Sequence, residues 1–201
     1  MIFHGFTPNE ATIMSDTLRG PLFERPFFYL RHGETETNRL GLITGATDIE
    51  LNARGCEQAL AAAALIKDLG VDAIYSSPLR RARDTAECVA GIVGVPVIVV
   101  QGIAERGFGE LEGKPRRLLV REATPPGGES LAAFTERVLA AFASIAGGNR
   151  PLVVAHSGVF RVLCDALGII APRTPIDNAL PLLLSPPPAG GSHWLLAPAF
   201  T

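Results

Sequence analysis

Short apolar runs alternate with stretches of helical periodicity along most of this chain. The apolar runs are rich in β-branched or aromatic residues, and they predict strands at 27–30, 71–76, 96–100, 151–155, 180–184 and 194–196. Helices are predicted between them, at 52–69, 79–93, 130–146 and 158–167. This alternation favours an α/β fold in which helices cover both faces of a mostly parallel sheet.

Two stretches show neither pattern. Residues 1–26 lack the basic start and the continuous apolar middle of a signal peptide, and we interpret them as an N-terminal extension that is partly flexible. Either Met1 or Met14 could be the natural start. Residues 107–128 have no clear period and close with Pro125-Pro126-Gly127-Gly128, which predicts a loop. We therefore expect one domain over residues 27–201 with an insertion at about 107–128.

Polar residues lie at the ends of several predicted strands. Arg31 and His32 follow the first strand. Ser76-Ser77 close the second strand, and His156 follows the fourth. Ligands of open parallel sheets bind outside the carboxyl ends of the strands. The sequence therefore predicts that these residues share one site.

With Arg81 and Glu105, the strand-end residues supply the groups that phosphoryl transfer through a histidine needs: histidines, arginines and a carboxylate. The chain has no Cys/His ligand spacing that predicts a metal site. It also has no glycine-rich P-loop. We expect a reaction without metal or other cofactor.

The order of these motifs resembles that of the histidine phosphatase superfamily, which includes the cofactor-dependent phosphoglycerate mutases. The similar segments are Arg31-His32-Gly33-Glu34-Thr35, Ser76-Ser77-Pro78-Leu79-Arg80-Arg81-Ala82, Glu105 with Phe108-Gly109, and Ala155-His156-Ser157-Gly158. The resemblance implies a phosphoglycerate mutase-like α/β/α sandwich of three layers. It also implies that residues 107–128 form a short cap over the site.

Three residues have the clearest expected roles. His32 is the expected nucleophile, because a neutral imidazole nitrogen can attack phosphorus and divide one difficult step into two. Arg31 and Arg81 are expected to clamp the phosphoryl oxygens with donors that keep their charge. Arg81 is preferred to Arg80 because it holds the family's position before Ala82. The alternatives are a polar strand end for His32 and a surface helix start for the arginines.

Glu105 and His156 complete the expected set. Glu105 is the expected general acid, and then the base for the attacking water. Its alternative is an exposed carboxylate paired with Arg106. Glu110 and Glu112 lie nearby and could compete for the role, although Glu112 is expected to be structural. His156 is expected to donate to the same phosphoryl oxygens, most usefully when protonated. Its alternative is a core histidine at a strand end.

Weaker expectations concern the surrounding residues. Asn38 is expected either to bind phosphate or to cap a turn. The resemblance implies that backbone amides near Thr44 and Gly45 contact substrate, whereas a plain turn is the alternative. Ser157 opens a predicted helix whose amide groups favour anions.

The short cap favours hydrolysis of a phosphomonoester, because it leaves water able to reach a phosphohistidine. A mutase-type phosphotransferase and a non-catalytic phospho-ligand binding module are the alternatives. The cap is basic, and its cations are Lys114, Arg116, Arg117 and Arg121. They predict either a solvated face or a contact with a second anionic group on the substrate.

Composition limits the partners and the compartment. The formal net charge is -2 and the pI is about 6.1, which disfavours nucleic acid and anionic membranes and leaves a small-molecule phosphomonoester as the expected partner. No apolar run is long enough to span a membrane. The 3 cysteines form no CxxC pair, and we expect reduced thiols that are buried in helices. Reduced thiols in turn predict a cytoplasmic protein. The oligomeric state stays open, with a homodimer as one option.

Overall fold

Six strands form one mixed sheet in the computed structural model, which describes residues 20–170, 175–188, 191 and 193–200. They are β1 (Phe27–Arg31), β2 (Ala73–Ser76), β3 (Val97–Val99), β4 (Pro151–Ala155), β5 (Pro181–Ser185) and β6 (Leu195–Pro198). Their order across the sheet is β3-β2-β4-β1-β5-β6. Each strand overlaps a predicted one.

The direction of the strands divides the sheet into two parts. β1, β2, β3 and β4 are parallel to their neighbours, as the alternation predicts. β5 runs antiparallel to β1, and β6 runs antiparallel to β5. The carboxyl ends of β1, β2 and β4 therefore lie at the same end of the sheet, which is also where β5 begins.

The helices are α1 (Glu36–Arg39), α2 (Ala53–Ile66), α3 (Arg80–Val93), α4 (Leu131–Ala143) and α5 (Ser157–Leu167). The longer ones confirm the predicted helices, with ends that differ by a few residues. The Asn52 side chain caps α2 by accepting a hydrogen bond from the Gly55 amide at 2.8 Å. The short helix α1 was not predicted, since one turn carries no periodic signal.

Alternate residues of the central strands face two separate cores. Phe28 and Leu30 of β1 pack with Ala63 and Ile66 of α2 and with α3 on one face. Phe27 and Tyr29 pack with α4 and α5 on the other face. This arrangement confirms the three-layer α/β/α sandwich.

The N-terminal segment is part of the packed domain where the structure describes it. Residues Pro21–Glu24 form a 3-10 turn. Its Leu22 and Phe23 are buried in the core that contains α4 and α5. The described end of the predicted extension therefore packs on the domain, because these apolar side chains lose water contact by joining the core. The remainder of the predicted extension, residues 1–19, lies outside the described residues.

The insertion at 107–128 has the irregular structure that its sequence predicts. Its helical parts are two single 3-10 turns, Gly109–Leu111 and Arg116–Leu118. In residues 20–170, 175–188, 191 and 193–200, no helix is long and apolar enough to cross a membrane.

The cysteines lie in helices as expected, but their burial differs. Cys164 in α5 is buried, and burial raises the pKa of its thiol to about 12. Cys88 in α3 is half-buried and Cys56 in α2 is exposed. The expectation of burial is therefore wrong for Cys56, which lies on the solvent face of an amphipathic helix. All three thiols are free.

Candidate active site

The parallel register of β1 and β4 brings the two predicted histidines together. Arg31 lies opposite Ala155 in the sheet, and the His32 amide donates to the Ala155 carbonyl at 3.1 Å. His156 follows Ala155 directly. The His32 and His156 rings are therefore neighbours, with centroids 5.2 Å apart.

The hydrogen bonding of His32 fixes its tautomer. Its Nδ1 lies 2.7 Å from the Gly33 carbonyl oxygen, which can only accept. The proton is thus on Nδ1 and the lone pair on Nε2. Burial, followed by the positive charges of Arg81 and Arg31, holds the pKa of His32 well below its usual value. A neutral imidazole with a free lone pair is the form that can act as a nucleophile.

Both predicted arginines are buried and are oriented by carbonyl oxygens. Arg31 donates from Nη1 to the Ile176 carbonyl at 2.6 Å. Arg81 is 1% exposed and donates to the carbonyls of Gly45 and Thr47, each at 2.8 Å. Burial and then the nearby charge of Arg116 lower the pKa of Arg31 to about 10, so its guanidinium stays charged at neutral pH.

The neighbouring Arg80 differs from Arg81 in its exposure and in its partners. Its side chain is 53% exposed and pairs with Glu50 at 3.1 Å and with Asp84 at 3.5 Å. The structure thus separates the adjacent arginines in the way that the sequence predicts.

Glu112 holds the loop at residues 45–47, to which Arg81 is hydrogen-bonded. Its carboxylate accepts hydrogen bonds from the amides of Ala46, Thr47 and Phe108, each at 2.9 Å. Partial burial acts to raise the pKa of Glu112, but these bonds and the Thr47 hydroxyl outweigh it, and the pKa is lowered. Gly45 has a φ of +59°, and a Cβ there would lie 2.1 Å from the Glu112 Oε1. Glu112 therefore has the structural role expected for it.

His156 is buried and held by hydroxyl groups. Its Nε2 lies 2.7 Å from the Ser77 Oγ, and the Tyr29 hydroxyl donates to its carbonyl at 2.7 Å. Burial and then the charge of Arg81 hold its pKa well below the usual value. Burial thus favours the neutral form of His156 in the free protein. The expected donation from His156 to phosphoryl oxygens stays a prediction.

Glu105 lies between the cap and the start of α5. Its Oε2 accepts a hydrogen bond from the Gly158 amide in the first turn of α5, and its Oε1 accepts from the Arg106 amide, both at 2.9 Å. The expected alternative, an ion pair with the Arg106 guanidinium, is not formed. That guanidinium instead donates to the carbonyls of Glu129, Arg121 and Ala123.

The weaker candidates lie around the same opening. Asn38 forms a capping box with Thr35, which is one of its two expected roles. It also lines the cavity beside His32, where the other expected role, phosphate binding, would place it. Thr44 lines that cavity and is hydrogen-bonded to Thr37 through the two hydroxyls. Gly45 and Ser157 line it as well. The Gly158 amide of α5 is already bonded to Glu105, so this donor of the helix start is not free for an anion.

The cavity beside His32, here called the histidine cavity, has a volume of about 30 Å³. Its polar lining includes Arg31, His32, Asn38, Arg81, Glu105 and Arg116. In the described part of the chain, three buried side-chain nitrogens lack a hydrogen-bond partner: Arg31 Nε, Arg81 Nε and His156 Nδ1. All of them belong to predicted site residues. Buried unpaired polar groups are rare and costly, and clustering here indicates a place for a ligand rich in acceptors.

Sequence reasoning missed Asn178. Its side-chain amide donates to the His32 carbonyl at 2.8 Å and also contacts Asn38. Asn178 lies just before β5. An antiparallel strand begins at the end of the sheet where its parallel neighbours finish, so Asn178 reaches the site through the direction of β5, which no local pattern in the sequence indicates.

The role of Thr85 was also missed. Its hydroxyl accepts from the Gly33 amide at 3.0 Å and donates to the Arg81 carbonyl at 2.7 Å. It thereby links the segment that orients His32 to the helix that carries Arg81. Among the described residues, no group of three or more His, Cys, Asp or Glu side chains could hold a metal ion.

Comparison with known proteins agrees with this geometry. The model of the histidine phosphatase superfamily (branch 1) matches residues 27–180. PhoE of Bacillus subtilis, named an uncharacterized phosphatase, is 34% identical over 140 residues, which are 67% of this chain and 72% of PhoE. GpmB of Escherichia coli, named a probable phosphoglycerate mutase, is 36% identical over 146 residues, which are 64% of this chain and 68% of GpmB.

A solved structure extends the agreement to the fold. The α-ribazole phosphatase from Shigella flexneri has a TM-score of 0.72 and 27% identity, over 86% of this chain and 95% of that one. The chain therefore belongs to branch 1 of the histidine phosphatase superfamily and is an enzyme of that family with the phosphoglycerate mutase-like fold.

Proposed function

We propose that this enzyme hydrolyses phosphomonoesters through a phosphohistidine on His32, without a metal ion. The observation that carries the proposal is the cluster of unpaired nitrogens on Arg31, Arg81 and His156 around a neutral His32. Arg31 and Arg81 line the histidine cavity, so a phosphoryl group seated against His32 supplies acceptor oxygens to their guanidinium groups. His156 does not line the cavity and adjoins it through His32, with ring centroids 5.2 Å apart. The guanidinium charges then stabilise the negative charge of the transition state.

The first step is transfer of the phosphoryl group to His32. The Nε2 lone pair forms a bond to phosphorus, and the bond from phosphorus to the ester oxygen breaks. Glu105, in its protonated form, gives its proton to that oxygen, and the alcohol leaves. The Gly33 carbonyl holds the Nδ1 proton and thereby stabilises the imidazole as it gains positive charge.

The second step is hydrolysis. The Glu105 carboxylate takes a proton from a water molecule, and the water oxygen attacks phosphorus. The nitrogen–phosphorus bond breaks and its electron pair returns to Nε2. Inorganic phosphate leaves, and both His32 and Glu105 are restored to their starting forms.

The cap supports hydrolysis over transfer between two hydroxyl groups. Its residues 107–128 contain only single turns, and Lys114, Arg116 and Arg117 on it are exposed. Water can therefore reach the site while the phosphohistidine exists. Two relatives, PhoE and the α-ribazole phosphatase, are named as phosphatases, whereas GpmB is named as a mutase.

The experiment is release of inorganic phosphate from p-nitrophenyl phosphate with a metal chelator present. We expect turnover by the wild type, none above background by His32→Ala, and turnover at the wild-type rate by His193→Ala, which alters an exposed histidine outside the histidine cavity. A requirement for an added divalent ion would contradict the mechanism. A requirement for a bisphosphorylated primer, with little free phosphate, would favour the mutase reaction.

We also propose a substrate class and a cellular location for this enzyme. The substrate is a small-molecule phosphomonoester, since the histidine cavity of about 30 Å³ accepts a single phosphoryl group. The three free thiols support a cytoplasmic location.

A further inference from the structure

A second cavity adjoins the histidine cavity beneath the cap. This cap cavity has a volume of about 360 Å³, twelve times that of its neighbour at about 30 Å³. Glu105, Phe108, Arg116, Leu119 and Ser157 line both. The general acid proposed for the leaving group thus stands at the boundary between them. An alcohol that leaves a phosphoryl group at His32 would lie in the cap cavity.

The walls of the cap cavity are largely apolar. The apolar surface comes from Phe108, Leu119, Leu131, Phe134 and Pro175. The polar part of the lining comes from Glu105, Ser157 and four arginines: Arg106, Arg116, Arg121 and Arg161. Cavities of about 300 to 1,000 Å³ with apolar walls and a few polar groups are typical of small-molecule sites. A three-carbon acid would leave most of this space empty, whereas a bicyclic aromatic body would fill more of it.

Arg116 is the cation best placed to bind an anionic group on the leaving alcohol. Among the described residues, it is the arginine that lines both cavities. Its backbone position is fixed, because its amide donates to the Gly41 carbonyl at 2.9 Å and the Ile43 amide donates to the Lys114 carbonyl at 2.9 Å. Its charge acts on the site, since it contributes to the lowered pKa of Arg31.

The other three arginines of the cap cavity, Arg106, Arg121 and Arg161, are already engaged. Arg121 pairs with Asp165 at 2.5 Å. Arg106 is bonded to backbone carbonyls of the cap. By contrast, no residue in 20–170 or 175–188 forms a hydrogen bond or ion pair with the Arg116 side chain.

We propose that the substrate is a phosphate ester of an alcohol with an apolar, aromatic-sized body and a second anionic group, and that Arg116 binds this group. The inference rests on the proposed phosphatase activity and specifies its substrate class. The body packs against Phe108 and Leu119 in the cap cavity. The second anion, a carboxylate or a phosphate, forms a charge-assisted hydrogen bond with Arg116 beside apolar walls.

The charge arm of the test compares carboxyphenyl phosphate, as meta and para isomers, with the neutral carbamoylphenyl phosphates of the same shape. The wild type is expected to prefer the better carboxylate isomer by about tenfold in kcat/KM, as one well-formed charge-assisted contact allows. Arg116→Ala is expected to abolish the preference. Arg117→Ala is the matched control, because Arg117 lies in the same turn, is exposed and lines neither cavity.

The size arm compares naphthyl phosphate with phenyl phosphate. The wild type is expected to favour the naphthyl ester by about fivefold, because the second ring buries further apolar surface. Leu119→Ala is expected to reduce that ratio to about two. Its matched control is Leu118→Ala, since Leu118 is 45% exposed and lines neither cavity.

The outcomes separate this inference from the proposed function. The inference would be overturned if the wild type hydrolysed the carboxylate and the neutral esters equally well. It would also be overturned if Arg117→Ala lost the carboxylate preference as fully as Arg116→Ala. Neither result would contradict the proposed phosphatase activity. A preference for phosphoglycerate over every aryl ester would overturn it as well. Absence of turnover with all esters would overturn the proposed function and the inference together.

Discussion

The histidine cavity and the cap are built by contacts of different kinds. The residues around His32 lie at the ends of central strands, and His32, Arg31, Arg81 and His156 are all buried. Each is fixed by a hydrogen bond to a backbone carbonyl or a hydroxyl group. The cap consists of single turns. It is tied to the domain by the Arg106 guanidinium, by the Arg121–Asp165 ion pair and by backbone hydrogen bonds such as that from the Arg116 amide to the Gly41 carbonyl.

This difference separates the two tasks of the site. Phosphoryl transfer needs groups that are held in place before the substrate arrives, because reorganisation during the reaction would cost rate. Recognition of the alcohol tolerates a looser frame, and the cap can vary at positions other than Glu112, whose carboxylate holds the loop that is hydrogen-bonded to Arg81. Changes in the histidine cavity should therefore affect the chemical steps, and changes in the cap should affect the choice of ester.

The largest effect is expected from Arg81→Ala. The change removes a buried charge from the phosphoryl group and leaves the Gly45 and Thr47 carbonyls without their donor. Loss of one pre-oriented donor typically costs about 10² to 10³ in kcat, so we expect a decrease of about 10³ in kcat/KM for p-nitrophenyl phosphate. Arg80→Ala is the control and should stay within about threefold, since exposed ion pairs contribute little. Equal losses in both variants would contradict the assignment.

Glu105→Gln is expected to show a different signature. With an alkyl phosphate the rate should fall by about 10² or more, because the alkoxide leaves without a proton. With p-nitrophenyl phosphate the first step needs little acid assistance, while the second still needs a base for water. Rapid mixing should therefore show a burst of nitrophenol followed by slow turnover. Glu110→Gln, which alters an exposed carboxylate of the cap, should show no burst.

A smaller effect is expected from Arg106→Lys, which tests the frame of the cap. A lysine ammonium cannot donate to the carbonyls of Arg121, Ala123 and Glu129 in the planar geometry of a guanidinium. We expect the free energy of unfolding to fall by about 1 to 2 kcal/mol, with the preference between naphthyl and phenyl esters reduced. Urea unfolding and kcat/KM ratios measure these. A fall in kcat for both esters with their ratio kept would contradict the separation of tasks.

The remaining prediction is a dependence of stability on pH. The folded protein lowers the pKa of His32 and His156, so the unfolded chain binds protons first as the pH falls below about 6.5. Stability should therefore be lost on acidification, by up to about 1.4 kcal/mol per pH unit for each histidine. Urea unfolding at several pH values should show a smaller slope for His156→Gln. An unchanged slope would contradict the neutral state of His156.

Much of the fold was predictable because strand and helix signals are local. The run before Arg31 and the run before His156 are apolar and short, and both form buried strands. The second has the predicted ends, and the first extends one residue further than predicted, to Arg31. Their polar end residues then lie together as a consequence of parallel register, which the strand–helix alternation implies. The adjacent arginines were distinguished by their positions in a motif.

Other features depend on tertiary contacts that local patterns do not encode. The direction of β5, and with it the place of Asn178, follows from pairing with β1. The neutral state of His156 follows from burial next to Arg81. The bonds from Arg106 to the cap require the path of residues 121–129, which have no periodic signal.

The most direct test is to trap the reaction between its two steps. Glu105→Gln mixed with p-nitrophenyl phosphate, quenched in base within the burst, should carry one phosphoryl group on the peptide that contains His32. Peptide mass spectrometry locates the group, and the double variant with His32→Asn serves as the control. Label is expected on His32 alone. Label on another residue, or turnover with phosphate release and no labelled enzyme at any time, would contradict it.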